Sequence, residues 1–519
     1  KKKELSCEEC ELNGKQKVNG EGNITTAQVI IIGEAPGRNE EKLGQPFVGQ
    51  SGILLRAMLF ESGAGFTDVY LTNVVKCRPD GNVTPSKQMI KCCKRLLDEE
   101  LIQAKNKKLI IAYGDTAANG LGINCGITED RGKFFDTSYG KVMVTSHQSY
   151  MVRAGEVEYH GKSLLEFMVD DIKRAKIFIE TGRWFKDIRD KIKVIRTVDD
   201  IQTMQVAFQN FIGKVGLDFE TNMFDMYHKD FKVVSLALSK GVEQVWWINL
   251  RSLDKELIEK ALRAAKDIYW QGNVVMHGSD FDLQVANSLS WGLKEVDDTL
   301  HVLYLLEGGK RVGGKKLKRL ALDYTDYGDY GVDIENINSL PDEEVMLYNC
   351  ADALVTVELF DRFYARMTDS LKYAYKTVLA PARILLTTAS VNGMKIDIAY
   401  AIELSKELQV RIEDYENRAN TEVGYEINMN SPKQVLNFLK SKGLNISSTG
   451  EEVLELYKSD AFVRLVLDYR RAKKLLGTYV NPYIIDHTKE GNFVHGKFSL
   501  VTAATGRVAG TDPNLMNVP

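Results

Sequence analysis

The sequence predicts a multidomain α/β protein, and three observations predict it. The chain has 519 residues, room for about three domains of ordinary size. Short apolar strands alternate with helix-like stretches up to about residue 185, and the alternation restarts near Ile192. Beyond about residue 375 the pattern turns helical and charged. The first run contains strands at Val29 to Ile32, Val69 to Thr72, Lys108 to Ala112 and Lys141 to Thr145, each short, apolar and followed by a helical stretch. In the second run, strands at Lys214 to Phe219, Val233 to Ser239 and Val245 to Asn249 follow in quick succession before helices take over, which suggests a mixed sheet. The last part reads as helices at Ile402 to Thr421 and Tyr457 to Leu476. The expected domains are residues 1–185, 186–372 and 373–519.

Composition narrows the class without deciding it. Hydrophobic residues make up 44% and charged residues 27%, ordinary values for a globular protein. No stretch approaches the roughly 20 apolar residues of a membrane span, and no secretory signal opens the chain, so a cytoplasmic protein is expected. A formal net charge of -3 lacks the excess of small basic nucleic-acid binders. It does not exclude DNA, because a large enzyme can line one groove with Lys and Arg while acidic catalytic residues balance the sum. Seven cysteines, an odd number, argue against a disulfide framework. The chain opens on Lys1 rather than Met and stops at Pro519, so both ends read as cut.

The chemistry-bearing residues fall in order. In Val215-Gly216-Leu217-Asp218-Phe219-Glu220-Thr221 a strand places Asp218 and Glu220 on one face. A second acidic site, His277-Gly278-Ser279-Asp280-Phe281-Asp282, follows the apolar strand Val274 to Met276. In the helix-like stretch 342–363, Tyr348 and Asp352 are four apart and share a face. Four carboxylates and a tyrosine that converge suit two Mg or Mn ions, one activating water and the other stabilising the leaving oxygen of a phosphodiester.

In this order and on these elements, residues 190–370 resemble the proofreading 3'-5' exonuclease domain of the family A DNA polymerases, a ribonuclease-H-like fold. The resemblance implies Asp218, Glu220, Asp282 and Asp352 as metal ligands, Tyr348 as the residue that orients water, and Asp298 as a structural aspartate. It implies single-stranded 3' ends as substrate. Gly278 departs from the family, which usually has Asn there, and the expectation is a looser second acidic site.

Ser431-Pro432-Lys433-Gln434-Val435, Tyr469-Arg470-Arg471 and Lys474-Leu475-Leu476-Gly477-Thr478-Tyr479 resemble the mostly helical thumb of the same polymerases. Thr505-Gly506-Arg507 and Asp512-Pro513-Asn514-Leu515-Met516-Asn517-Val518-Pro519 resemble the segment that enters the palm. A guanidinium beside a glycine can approach the minor groove at a primer end, and the implied DNA contacts are Lys474, Arg507 and Asn514. The family's later palm and fingers motifs do not occur before Pro519, so the chain is expected not to extend primers without a palm and fingers, on a longer or a separate polypeptide. A non-catalytic DNA clamp or scaffold is the alternative, and the retained carboxylates argue against it.

The first domain carries its own pattern. Gly33-Glu34-Ala35-Pro36-Gly37 follows a strand directly, where α/β sheets bind ligands. Gln45-Pro46-Phe47-Val48-Gly49, Leu71-Thr72-Asn73, Lys76-Cys77-Arg78-Pro79 and Ser146-His147-Gln148-Ser149-Tyr150 come after it. Together they resemble the iron-sulfur family of uracil-DNA glycosylases over roughly residues 5–175. The resemblance implies that a flipped uracil stacks on Phe47, that Asn73 reads its Watson-Crick edge, that His147 meets the negative charge of the departing base, and that Glu34 positions water. Gln148 stands where the family normally has Pro, which puts catalysis in question. Excision of uracil and mere recognition of it both remain open.

Cys7, Cys10, Cys77 and Cys93 would supply four thiolates to a [4Fe-4S] cluster in that family's arrangement. Cys92 is the rival of Cys93, zinc is the rival occupant, and Cys125 and Cys350 read as structural. Fusion of such a domain to a family A polymerase resembles what large bacteriophages carry, so DNA replication in a host cytoplasm is the expected setting.

Overall fold

The computed structural model describes residues 5–63, 68–148, 150, 158–159, 162–309, 316–331, 334–482 and 488–517. Ser149, Val518 and Pro519 of the motifs above lie outside them. The chain forms two compact units, residues 1–222, 233–279 and 296–375 in the first and residues 223–232, 280–295 and 376–519 in the second.

The first unit holds two sheets. Strands Val69–Asn73, Val29–Gly33, Leu109–Tyr113, Gly140–Thr145 and Phe134–Thr137 make a five-stranded sheet in that spatial order. The first four run parallel and Phe134–Thr137 is an antiparallel edge. Val29–Gly33 and Leu109–Tyr113 are buried along their whole length, which explains why they read as unbroken apolar runs: a parallel sheet is covered on both faces. Register pairs Gly33 with Asn73, Ile32 with Ala112 and Tyr113 with Thr145. The carboxyl ends of four strands are therefore level, and the loops carrying Glu34, Gly114 and His147 leave from one edge.

The second sheet has six strands in the order Asp297–Asp298, Asn273–Met276, Lys214–Thr221, Val233–Lys240, Gln244–Asn249 and Ile192–Val194. It is mixed, as expected: Lys214–Thr221 pairs antiparallel with Val233–Lys240 and parallel with Asn273–Met276. The helix Asp342–Ala365 lies across it, with 14 residues buried, from Val345 to Phe363. Gly216 permits this approach. A Cβ there would stand 2.1 Å from the Ala353 carbonyl oxygen and 2.5 Å from Ser239 Oγ, both short of contact distance.

The two sheets are joined within the unit by a buried ionic clasp. Asp323, on the helix Leu317–Tyr324, pairs with Arg131 and Arg319. Arg131 Nη1 also donates to Asp171 at 2.8 Å, and Asp171 accepts from Arg174 at 3.0 Å and from Thr145 Oγ1 at 2.7 Å. Phe185 bridges Gly328 in antiparallel fashion nearby.

The second unit is mainly helical. Helices Ile398–Val423, Pro432–Ser441 and Ala461–Lys474 enclose a core of Leu408, Ile412, Leu439, Phe462, Val466 and their neighbours. The last helix starts at Ala461, later than the Tyr457 expected, because Asp460 caps it by accepting from Phe462 N and Val463 N at 2.9 and 3.1 Å. Among the described residues no helix is long and apolar enough to cross a membrane.

Candidate functional site

The strand Lys214–Thr221 turns Leu217 and Phe219 into the core and brings Asp218 and Glu220 to the opposite face, where Asp218 keeps partial exposure and Glu220 is buried. The helix Asp342–Ala365, let in by Gly216, delivers Asp352 to them. One carboxylate oxygen from each of Asp218, Glu220 and Asp352 lies within 4.8 Å of the others, a spacing that hard divalent cations bridge.

Asn349, from the same helix turn, fixes Asp218: its Nδ2 donates to Asp218 Oδ2 at 2.6 Å and to the Asp218 carbonyl at 3.1 Å, while Ser235 Oγ donates to its Oδ1 at 2.9 Å. Tyr348 is 9% exposed. Burial first, then the charges of Asp352, Glu220 and Asp218, push its phenol far above the ordinary range, so it keeps its proton as a donor. Two groups that the sequence reading missed also reach Asp352. Lys318 forms an ion pair with its Oδ1, and Tyr330 OH donates to the same oxygen at 2.6 Å.

Asp298 has a structural place. It accepts from Gly278 N at 3.1 Å, from Ser279 N and Oγ at 2.7 Å each and from Leu300 N at 2.8 Å, holding the turn that precedes the helix Asp280–Ser288. Gly278 adopts φ 64, a left-handed conformation that Gly and Asn tolerate best. Asp282 sits buried in the first turn of Asp280–Ser288, a helix of the second unit.

The loops at the level strand ends of the first sheet carry the second set of expected site residues. A Cβ on Gly33 would lie 2.5 Å from Asn73 Oδ1 and 2.8 Å from Phe47 Cζ, so Asn73 and Phe47 both press on this turn. Glu34 Oε2 accepts from Thr116 Oγ1 at 3.0 Å. Glu40, unsuspected from the sequence, ties two of these loops together by accepting from Gly49 N at 2.8 Å while lying against Gly37. His147 packs on Gly114, whose φ is 88. Gln148 is fully buried, and neither of its amide atoms has a partner among the described residues.

On the far side of that sheet Cys7, Cys10, Cys77 and Cys93 line one cavity with Lys15, Lys17 and Lys76. Burial, and after it the neighbouring thiols of Cys93, Cys10 and Cys7, push the Cys77 thiol up to about 11. Cys92 is buried outside this lining, its thiol pushed up to about 11 by burial and by Cys10. Arg507 and Lys474 are exposed, and Asn514 is half-buried with its Oδ1 accepting from Met516 N at 3.1 Å.

Comparison with known proteins matches each of these regions. Residues 19–172 match the uracil DNA glycosylase superfamily, residues 193–368 a 3'-5' exonuclease family, and residues 398–519 DNA polymerase family A. The chain carries a domain that belongs to the uracil DNA glycosylase superfamily, and its C-terminal part is similar to DNA polymerase family A. A type-4 uracil-DNA glycosylase of Thermotoga maritima is 40% identical over 172 residues, 33% of this chain and 86% of that protein. DNA polymerase I of Bacillus subtilis is 26% identical over 388 residues, 69% of this chain and 40% of the enzyme. The chain thus spans well under half of that polymerase's length. The polymerase domain of Mycobacterium smegmatis Pol1, solved with primer-template DNA and dNTP, shares the fold at a TM-score of 0.51 and 21% identity, over 63% of this chain and 56% of that one.

Proposed function

We propose that this chain is part of a family A DNA polymerase and shortens single-stranded DNA from its 3' end by metal-dependent phosphodiester hydrolysis, as a proofreading exonuclease. The observation that carries the reading is the convergence of Asp218, Glu220 and Asp352 beside a protonated Tyr348. These carboxylates suit Mg or Mn, with Asp282 as the fourth ligand on the sequence pattern. Bound divalent ions supply a polarised water and neutralise charge on the leaving oxygen. Asn349 holds Asp218 in its rotamer, and Tyr348 donates its phenolic hydrogen to orient the attacking water. Lys474, Arg507 and Asn514 are proposed to contact primer-template DNA. The test is shortening of a 5'-labelled single strand, expected with Mg, absent with EDTA and absent in Asp218→Ala. Equal rates in that variant and the wild type would sink the assignment.

The first domain is proposed to recognise uracil in DNA, with Phe47 and Asn73 at the base, His147 toward the departing charge and Glu34 toward water. The donor set of its cavity supports a [4Fe-4S] cluster on Cys7, Cys10, Cys77 and Cys93: soft thiolates suit iron-sulfur or zinc. An oligonucleotide with one uracil, incubated in EDTA and then treated with alkali, tests excision. Cleavage lost in Asn73→Ala identifies a repair activity, and binding without cleavage identifies a recognition module.

A further inference from the structure

Lys318 sits where a cation is needed. Three carboxylate oxygens within 4.8 Å of one another repel, and the cost of holding them there rises as they are buried. The Lys318 ammonium meets this in two ways. It pairs with Asp352 Oδ1, and it lies 3.5 Å from the centre of the Tyr348 ring and 4.4 Å from that of Tyr330, positions where a cation is attracted to the π face. Tyr330 OH completes the cover of the same oxygen.

The backbone that carries the lysine is held independently of the carboxylates. Lys318 is the second residue of the helix Leu317–Tyr324. That helix is anchored on its other side by the Asp323 ion pair with Arg131, by Arg319 Nη1 donating to the Arg131 carbonyl at 2.5 Å, by Arg174 Nη2 donating to the Leu322 carbonyl at 2.5 Å, and by Lys162 Nζ donating to the Asp323 carbonyl at 3.0 Å. The ammonium is therefore presented to Asp352 by a fixed scaffold. With its side chain 23% exposed, it has an open side into which to withdraw.

We propose that Lys318 is a displaceable counter-ion of the exonuclease carboxylates, which holds Asp352 in the metal-free protein and is expelled by the divalent cation. The inference rests on the metal-site reading of the cluster and adds how that site is kept ready and how its affinity is set. A divalent ion ligated by Asp352 competes with the ammonium for the same oxygen, so the lysine lowers metal affinity while stabilising the apo arrangement. Lys318 is thus a positioning residue.

The test is Mn binding to the full chain, followed by the loss of the free-ion electron paramagnetic resonance signal, with Asp218→Ala as the background. Lys318→Met removes the competitor and is expected to bind at a Mn concentration about tenfold lower than the wild type, the worth of one partly buried ion pair. In EDTA the same variant is expected to melt earlier than the wild type, and saturating Mn should close that gap. Lys318→Gln, which keeps most of the side chain, should show the same shift if the Met variant does not fold. Unchanged or weaker Mn binding in folded Lys318 variants overturns the inference. Wild-type binding no greater than in Asp218→Ala overturns instead the metal-site reading beneath it.

Discussion

Replacing Asp323 by Asn should loosen the join between the glycosylase-like sheet and the exonuclease sheet. Asp323 is 10% exposed, and Arg131 and Arg319, at 6% and 9%, both pair with it. The amide keeps the shape but leaves two buried guanidinium groups to share Asp171 and backbone carbonyls. Arg131 retains its 2.8 Å bond to Asp171 and its 3.2 Å bond to the Phe167 carbonyl, and Arg319 its bond to the Arg131 carbonyl at 2.5 Å. Breaking one partner out of a buried pair costs about 3–5 kcal/mol, and these surviving bonds argue for the lower figure.

A chain of several domains does not unfold in one step, so the readout must be local. Hydrogen exchange resolved by peptide should show protection falling about 100-fold in 317–324, the equivalent of about 3 kcal/mol. The helix Leu164–Thr181, which carries Asp171 and Arg174, should loosen with it. Combining Asp323→Asn with Arg131→Met should cost less than the sum of the two, because they remove the same pair. Unchanged exchange in both helices, or strict additivity, would refute the clasp.

Other expectations follow from particular contacts. Gly216→Ala places a Cβ against the Ala353 carbonyl oxygen; overpacking of about 1–3 kcal/mol should shift the helix Asp342–Ala365 and lower exonuclease kcat by about 100-fold, the cost of misplacing Asp352 by an ångström. Asp460→Ala should lower hydrogen-exchange protection in 461–474 about fivefold, the equivalent of about 1 kcal/mol, through loss of the cap on Ala461–Lys474. Burial would raise the Asp460 carboxyl, but the Val463 N–H and the Lys442 ammonium outweigh it and hold it below the ordinary range. That contribution is present above an unfolded value of about 3.9 and is lost as pH falls through the lower folded value, so the wild-type advantage over the variant should vanish in strong acid. Cys93→Ser should abolish the visible absorbance of anaerobically purified protein and Cys92→Ser should leave it; the reverse outcome would exchange their roles.

Much of this was legible in the sequence, for reasons that differ by residue. Asp218 and Glu220 were readable because strand periodicity puts alternate residues on one face, and Tyr348 with Asp352 because helical spacing does the same. The parallel strands announced themselves as short apolar runs because both faces are covered. Lys318 and Tyr330 were invisible because their link to Asp352 spans 34 and 22 residues and neither lies in a pattern that marks a ligand. Asn349 was overlooked although it neighbours Tyr348, since helical phase alone does not tell a core amide from a site residue. The edge strand Phe134–Thr137 has no buried position, so no alternation betrays it. Arg131 and Asp171 lie in no sequence pattern that marks a buried pair, and only the fold brings them together.

The most direct test of the central claim is release of 5'-mononucleotides from a 3'-end-labelled single strand by the wild type and by Asp352→Asn, in Mg and in EDTA. The account predicts stepwise release of labelled mononucleotide from the first turnover in Mg alone, and a rate lower by about a thousandfold in the variant, the loss of several kcal/mol of metal-assisted stabilisation. Mononucleotide release that persists in EDTA, or an Asp352→Asn rate equal to that of the wild type, would contradict it.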